Sequence, residues 1–203
     1  MFSQLLLLSA SLAATLPLAA AAPAPANPSP ASPNRIPSRT TTSPRITHSV
    51  VAGRPGLRFD PENIVAEVGD IVEFHFLPRN HSVVEASFDA PCVPRDDSAP
   101  GSPTAFFSGF FPVSPNPDGS VAQSPEVFQI EVRDDKPIWF YCAQNNGRHC
   151  QNGMVGAINQ RFDTPNTLEA FRRAAAAVPG DSGVLPQVQG GWRGPNPNPN
   201  GGF

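Results

Sequence analysis

Cys142, His149 and Met154 fall within thirteen residues of one another, in the string Trp139-Phe-Tyr-Cys142-Ala-Gln-Asn-Asn-Gly-Arg-His149-Cys150-Gln-Asn-Gly-Met154-Val155-Gly156. A thiol, an imidazole and a thioether this close together form a soft donor set. Thiolate and thioether stabilise Cu(I), imidazole also suits Cu(II), and one Cys with two His and a weak axial Met is the ligand set of electron-transfer copper sites. Zinc also takes Cys and His, but the Met favours copper. The second imidazole must come from elsewhere in the chain.

Four histidines are available: His48, His75, His81 and His149. His75 sits in an alternating strand and reads as a surface or rim residue, and His48 opens the first strand, where a solvent-facing position is expected. His81 differs, because it follows the turn Leu77-Pro78-Arg79-Asn80 at the end of a strand, where a side chain can be aimed into a cluster of loops. The carboxylates Asp60, Glu62, Glu67, Asp70 and Glu73 form no pair suited to hydrolysis, and Asp96-Asp97 and Asp134-Asp135 read as solvated turns. A multicopper oxidase needs His-x-His pairs, which this chain lacks, and a copper polysaccharide monooxygenase needs an N-terminal histidine in the mature chain, which is not expected here. The reading is therefore of a protein that is not an enzyme.

Three cysteines, Cys92, Cys142 and Cys150, make an odd count, so one pair can bond and one thiol is left over. Pairing Cys142 with Cys150 would close a tight loop around His149. Pairing Cys92 with Cys150 would close a loop of nearly sixty residues, worth about 4 kcal/mol by chain entropy, and would leave Cys142 to a metal. An unligated thiol outside the cell would be prone to oxidation.

The elements that must position these groups follow from composition and period. Residues 1–22 are apolar and then small, as in a secretory signal peptide, and residues 23–45 alternate Pro with Ala, Ser, Thr and Asn, as in an extended linker. Residues 46–162 are about the size of one β-sandwich. Strands are expected at Ser49–Ala52, Asn63–Ala66, Ile71–Phe76, His81–Ala86, Val127–Val132, Pro137–Cys142 and Met154–Ile158, with Gly69-Asp70 as a hairpin corner. Val72, Phe74 and Phe76 share one face, as do Phe128, Ile130 and Val132. A helix over 163–179 is expected to open with Thr164 as N-cap and Pro165 behind it. Leu168, Phe171, Ala174, Ala175 and Val178 would lie on one face, packed on the domain. Residues 180–203 are rich in Gly, Pro and Asn and are expected to be disordered; with no apolar tail in them, no glycosylphosphatidylinositol or other stable membrane anchor is expected.

Asn80-His81-Ser82-Val83, Phe88-Asp89-Ala90-Pro91-Cys92, Ile138-Trp139-Phe140-Tyr141-Cys142 and His149-Cys150-Gln151-Asn152-Gly153-Met154-Val155-Gly156 resemble the cupredoxins, most closely the secreted fungal blue copper proteins related to plant phytocyanins. The resemblance spans the middle domain. It implies an all-β, cupredoxin-like Greek-key β-sandwich, copper ligands at His81, Cys142, His149 and Met154, and a disulfide between Cys92 and Cys150. One departure stands out: six residues separate Cys142 from His149, where the family usually has two to four, so Asn145-Asn146-Gly147 reads as an inserted turn. Ser82 is expected to hydrogen-bond the Cys142 loop, and Trp139, Phe140 and Phe76 to supply apolar walls. Asn80-His81-Ser82 also matches a glycosylation sequon, expected to be unused because a glycan would crowd His81.

The function this implies is copper holding or electron transfer, Cu(I)/Cu(II), by a secreted monomer acting outside the cell or at the cell wall with a redox partner. The alternative is an extracellular module on the same frame without copper. With 14 basic and 17 acidic residues, a net charge of -3, no nucleic-acid partner is expected.

Overall fold

The alternation expected for Ile71–Phe76 is the centre of the fold. The computed structural model describes residues 44–54, 56–99 and 101–199; the expected signal peptide and all but the last two residues of the expected linker lie outside them. Strand β1 (Thr47–Ala52) runs parallel to β4 (Ile71–Phe76), and β4 pairs antiparallel with β8 (Glu126–Glu131). With β2 (Phe59–Asp60) and β11 (Trp192–Pro195) at its edges, this sheet has the order β11-β8-β4-β1-β2. The second sheet has the order β3-β10-β9-β6, from β3 (Asn63–Ile64), β10 (Val155–Ile158), β9 (Ile138–Tyr141) and β6 (Val84–Ala86). A short pair, β5 (Arg79–His81) with β7 (Phe111–Val113), lies beside them. The chain passes back and forth between the two sheets, giving the Greek-key sandwich that the sequence implies.

Period-2 side chains fill the space between the sheets. Val72, Phe74 and Phe76 from β4 meet Phe128 and Ile130 from β8, Phe140 from β9 and Ile158 from β10 in one core. Phe140 packs edge-on against Phe59 and Phe74. A second apolar cluster covers the outer face of the second sheet, where Trp139, Tyr141, Val155 and Ala157 pack beneath helix α1 (Leu168–Ala176) through Leu168, Phe171 and Ala175. Both faces of β9 and β10 are therefore largely buried.

Several expectations are corrected. Gly69-Asp70 turns the chain from the second sheet into the first, so it joins β3 to β4 without forming a hairpin. His81–Ala86 is not one strand: Ser82 and Val83 separate β5 from β6, because the chain leaves its pairing with β7 and takes up pairing with β9. Helix α1 starts later than expected, with Thr167 as N-cap accepting from the Ala170 amide, while Thr164 accepts from Asn166 in the preceding turn. Ala174 faces solvent rather than the sheet.

His75 is 2% exposed, not a rim residue, because β4 is the central strand of its sheet; its Nε2 lies 2.8 Å from Glu73 Oε1. His48 is partly exposed, with Nε2 2.8 Å from Asp70 Oδ2.

The tail from residue 180, expected to be disordered, is largely ordered. Trp192–Pro195 pairs with β8, and Asn196 ties back through its amide to Pro125 O and through Nδ2 to Ser124 O. An edge strand demands backbone hydrogen bonds rather than apolar side chains, so a Gly- and Pro-rich composition does not exclude it. Residues 200–203 lie outside the described residues.

Candidate metal centre

The β9–β10 ladder fixes where Cys142 points. Trp139 and Tyr141 face α1, so Phe140 and Cys142 face the opposite way, into the core between the sheets. The Cys142 amide donates to Met154 O at 3.0 Å, extending the ladder one residue past β9. Gly156 sits opposite Phe140, and a Cβ there would lie 2.3 Å from the Phe140 ring. The glycine thus leaves room for the aromatic side chain beneath the site. Phe140 and Phe76 share the core with Cys142, as expected, whereas Trp139 lies on the other face, against Phe88 and Phe171, and walls no part of the site.

His81 arrives from the far side, at the end of β5. Its Nδ1 lies 3.9 Å from Cys142 Sγ, and His149 Nδ1 lies 3.4 Å from the same sulfur. The ring centroids are 5.0 Å apart, and the donor atoms of all three residues lie within 4.8 Å of one another. All three side chains are buried. Each S···N separation is shorter than the ~4.3 Å spanned by an ordinary S–metal bond and an ordinary N–metal bond of a first-row ion end to end. The residues present therefore suit one soft or borderline cation held between them. Met154 is buried in the same core, its amide donating to His149 O at 2.9 Å.

Ser82 supports the sulfur as the sequence suggests. Its backbone N–H points at Cys142 Sγ at 3.4 Å, and its hydroxyl accepts from the Ala143 amide at 3.0 Å. N–H donors of this kind stabilise a thiolate. Burial acts more strongly in the other direction and pushes the Cys142 thiol up to about 11, with the Gln144 and Ser82 amides and the Ser82 hydroxyl opposing it. Without a cation the group is a neutral thiol at pH 7. Burial, and then the neighbouring charge of His149, push His81 down to about 4, against a smaller opposing effect of the Pro78 backbone; burial also lowers His149. Both imidazoles are neutral at pH 7 and carry a free lone pair for a metal.

The long Cys142-to-His149 loop is closely bonded. The Arg148 amide donates to Asn145 O, the His149 amide to Gln144 O, and Asn152 Nδ2 to Gly147 O. Gly147 and Arg148 both take positive φ, so the Asn145-Asn146-Gly147 insertion is an ordered turn. Cys150 is bonded to Cys92, leaving Cys142 as the free thiol.

Gly53 is part of the site and was not singled out from sequence. Its φ is +99°, and a Cβ there would lie 2.6 Å from His81 Nε2, so only glycine lets the backbone close over that ring. Its signal in the sequence is slight: a glycine directly after the first strand. A cavity of about 380 Å³ opens beside the site, lined by Gly53, Arg79, Asn80, Gln144, Gly147 and His149 among others.

No family model matches the chain. It is 34% identical over 148 residues to an "Extracellular serine-rich protein" of Arthroderma benhamiae, covering 73% of this chain and 52% of the relative. It is 34% identical over 129 residues to a "Probable GPI-anchored cupredoxin-1" of the same organism, covering 64% of this chain and 58% of the relative. The chain thus spans little more than half the length of these curated relatives. Among solved structures, a pseudoazurin from Methylobacterium extorquens AM1 matches with a TM-score of 0.36 and 20% identity, over 65% of this chain and 85% of that one. A plastocyanin from Dryopteris crassirhizoma matches with a TM-score of 0.31 and 18% identity, over 54% and 96%. At these TM-scores the likeness adds nothing to what the two sheets themselves establish. The chain is thus similar, at 34% identity, to a protein named as a GPI-anchored cupredoxin, and its all-β sandwich gathers His81, Cys142 and His149 at one point.

Proposed function

We propose that this chain would hold one copper ion at His81, Cys142 and His149, with Met154 as a further ligand, and serves outside the cell as an electron carrier or copper store. The observation that carries this reading is the convergence of one thiol and two neutral imidazoles, all buried, with the Ser82 N–H directed at the sulfur. Bound copper would supply a one-electron couple, Cu(I)/Cu(II). The chain's own part is to hold the donors in place. His81 comes from β5 and Cys142 from the end of β9, both fixed by strand pairing, so the same donor positions serve both oxidation states. The names of the two relatives, one extracellular and one GPI-anchored, support an extracellular or cell-surface location.

Addition of one equivalent of Cu(II) to the mature protein should produce intense thiolate-to-copper charge-transfer absorption. Cys142→Ser should abolish that absorption while leaving the Cys92–Cys150 bond intact. Survival of the colour in the variant would reject Cys142 as the thiolate. Absence of colour in the parent protein, with the Cys142 thiol still free, would favour a module that uses the frame without copper.

A further inference from the structure

The segment after helix α1, residues 178–183, lies against the loop that carries His149 and is bonded to it at several points. Asn145 exchanges two hydrogen bonds with one residue of this segment: the Ser182 amide donates to Asn145 Oδ1 at 2.7 Å, and Asn145 Nδ2 donates to Ser182 O at 3.2 Å. Arg148 donates to Val178 O at 3.0 Å, Gln151 Nε2 to Gly180 O at 3.1 Å, and Ser182 Oγ to Gln151 Oε1 at 3.3 Å. Ser182 and Gln151 are both buried. The segment is itself held at each end. Helix α1 precedes it, packed through Phe171 and Ala175, and at Gly183 the amide donates to Cys92 O while the carbonyl accepts from the Tyr141 hydroxyl.

The His149 ring is buried and packs beside the His81 ring. Among the described residues its hydrogen-bonding contact is with Cys142 Sγ, so its distance from that sulfur depends on where the loop backbone places it. That backbone is set by the Gln144–His149 turn, which is tied to the segment beyond the helix by the paired bonds of Asn145 to Ser182 and by the single bond from Arg148 to Val178 O. We infer that Asn145 is a positioning residue for His149, and that residues 178–183 form a strap that keeps the enlarged loop from carrying the imidazole away from Cys142. The inference deepens the copper reading and rests on it for its effect on the metal, but the strap itself can be tested without metal.

The test compares the parent protein with Asn145→Ala, which loses both bonds to Ser182, and Asn145→Asp, which keeps the acceptor for the Ser182 amide and loses the donor. In the metal-free protein, amide hydrogen exchange across residues 144–149 should quicken about tenfold in Asn145→Ala and less in Asn145→Asp, with exchange in β4 unchanged. Unchanged exchange across the loop in both variants would overturn the strap. In the copper-loaded protein, Asn145→Ala should shift the charge-transfer band and the Cu(II) hyperfine splitting and weaken Cu(II) binding about tenfold, with Asn145→Asp intermediate. An identical spectrum and affinity in all three proteins would overturn the positioning role. A parent protein that gives no charge-transfer band removes the copper reading alone, because the exchange comparison still decides for or against the strap. If Asn145→Ala does not fold, Asn145→Asp carries the same comparison.

Discussion

The three donors at the centre differ in how far burial has moved them, and that difference sets the pH behaviour of the site. Both imidazoles are neutral at pH 7, whereas the Cys142 thiol, pushed up to about 11, keeps its proton. Metal ligands must be deprotonated, so metal binding displaces whatever protons they hold. Binding of Cu(II) near pH 7 should therefore release close to one proton per ion, all of it from Cys142. The affinity should rise about tenfold per pH unit from neutral pH toward 10. Calorimetry in two buffers of different ionisation enthalpy measures this number directly. A value near zero would mean that the thiolate is not a ligand, and a value near two that an imidazole is charged in the metal-free protein. Stability without metal changes with pH in the same direction, but in a lower range. His81 titrates from about 4 in the folded state against its ordinary 6.5, so the unfolded chain takes up the proton first, and stability falls as the pH drops from 6.5 toward 4.

The elements do their work through alternation, and the two neighbouring strands β9 and β10 show how tightly. Gly156 faces Phe140 with no space for a methyl group, and Phe140 lies two residues before Cys142, on the same face of the strand. Gly156→Ala should cost about 1–3 kcal/mol by overpacking and displace Phe140 toward the core. In the copper-loaded protein it should also move the charge-transfer band, because Phe140 and Cys142 share one strand face. Thermal unfolding of the metal-free variant and its copper spectrum test both parts, and an unchanged midpoint would show that Phe140 yields freely. Period-2 patterning made β1, β4, β8, β9 and β10 legible in the sequence, but not which way Cys142 faces. It could not show that Trp139 is spent on α1, since that depends on a helix packing from the other side. It also missed β11. Gly190-Gly191-Trp192-Arg193-Gly194-Pro195 has the composition of a tail, and its order comes from partners distant in sequence. Arg193 donates to Ser108 O and Phe110 O and lies over the Phe111 ring, while Gly191 fits where a Cβ would meet Gln129 O at 2.3 Å.

At the scale of the molecule, parts far apart in sequence converge on the His149 loop, and the disulfide is the covalent member of that arrangement. Cys150 follows His149, and its bond to Cys92 closes a separation of 58 residues. Next to Cys92 in space lies Gly183, the last residue of the strap, and next to Cys150 in sequence lies Gln151, which the strap also binds. The cross-link and the strap therefore act on the same stretch by different means: the first limits the unfolded chain, the second fixes the folded loop. Replacing both half-cystines, Cys92→Ala with Cys150→Ala, should remove about 4 kcal/mol by the loop-entropy relation. For a unit of this size that corresponds to a fall of roughly 8–16 °C in the unfolding midpoint of the metal-free protein. Neither cysteine is a proposed ligand, so the folded double variant should still develop the copper charge-transfer band. Its hydrogen exchange across residues 144–149 should remain slow, because the Asn145–Ser182 pair survives. Loss of the band in a protein that is still folded would show that the disulfide, rather than the strap, holds His149 in place. A retained band with a lowered midpoint would assign the two constraints to the two tasks, stability to the cross-link and ligand geometry to the strap.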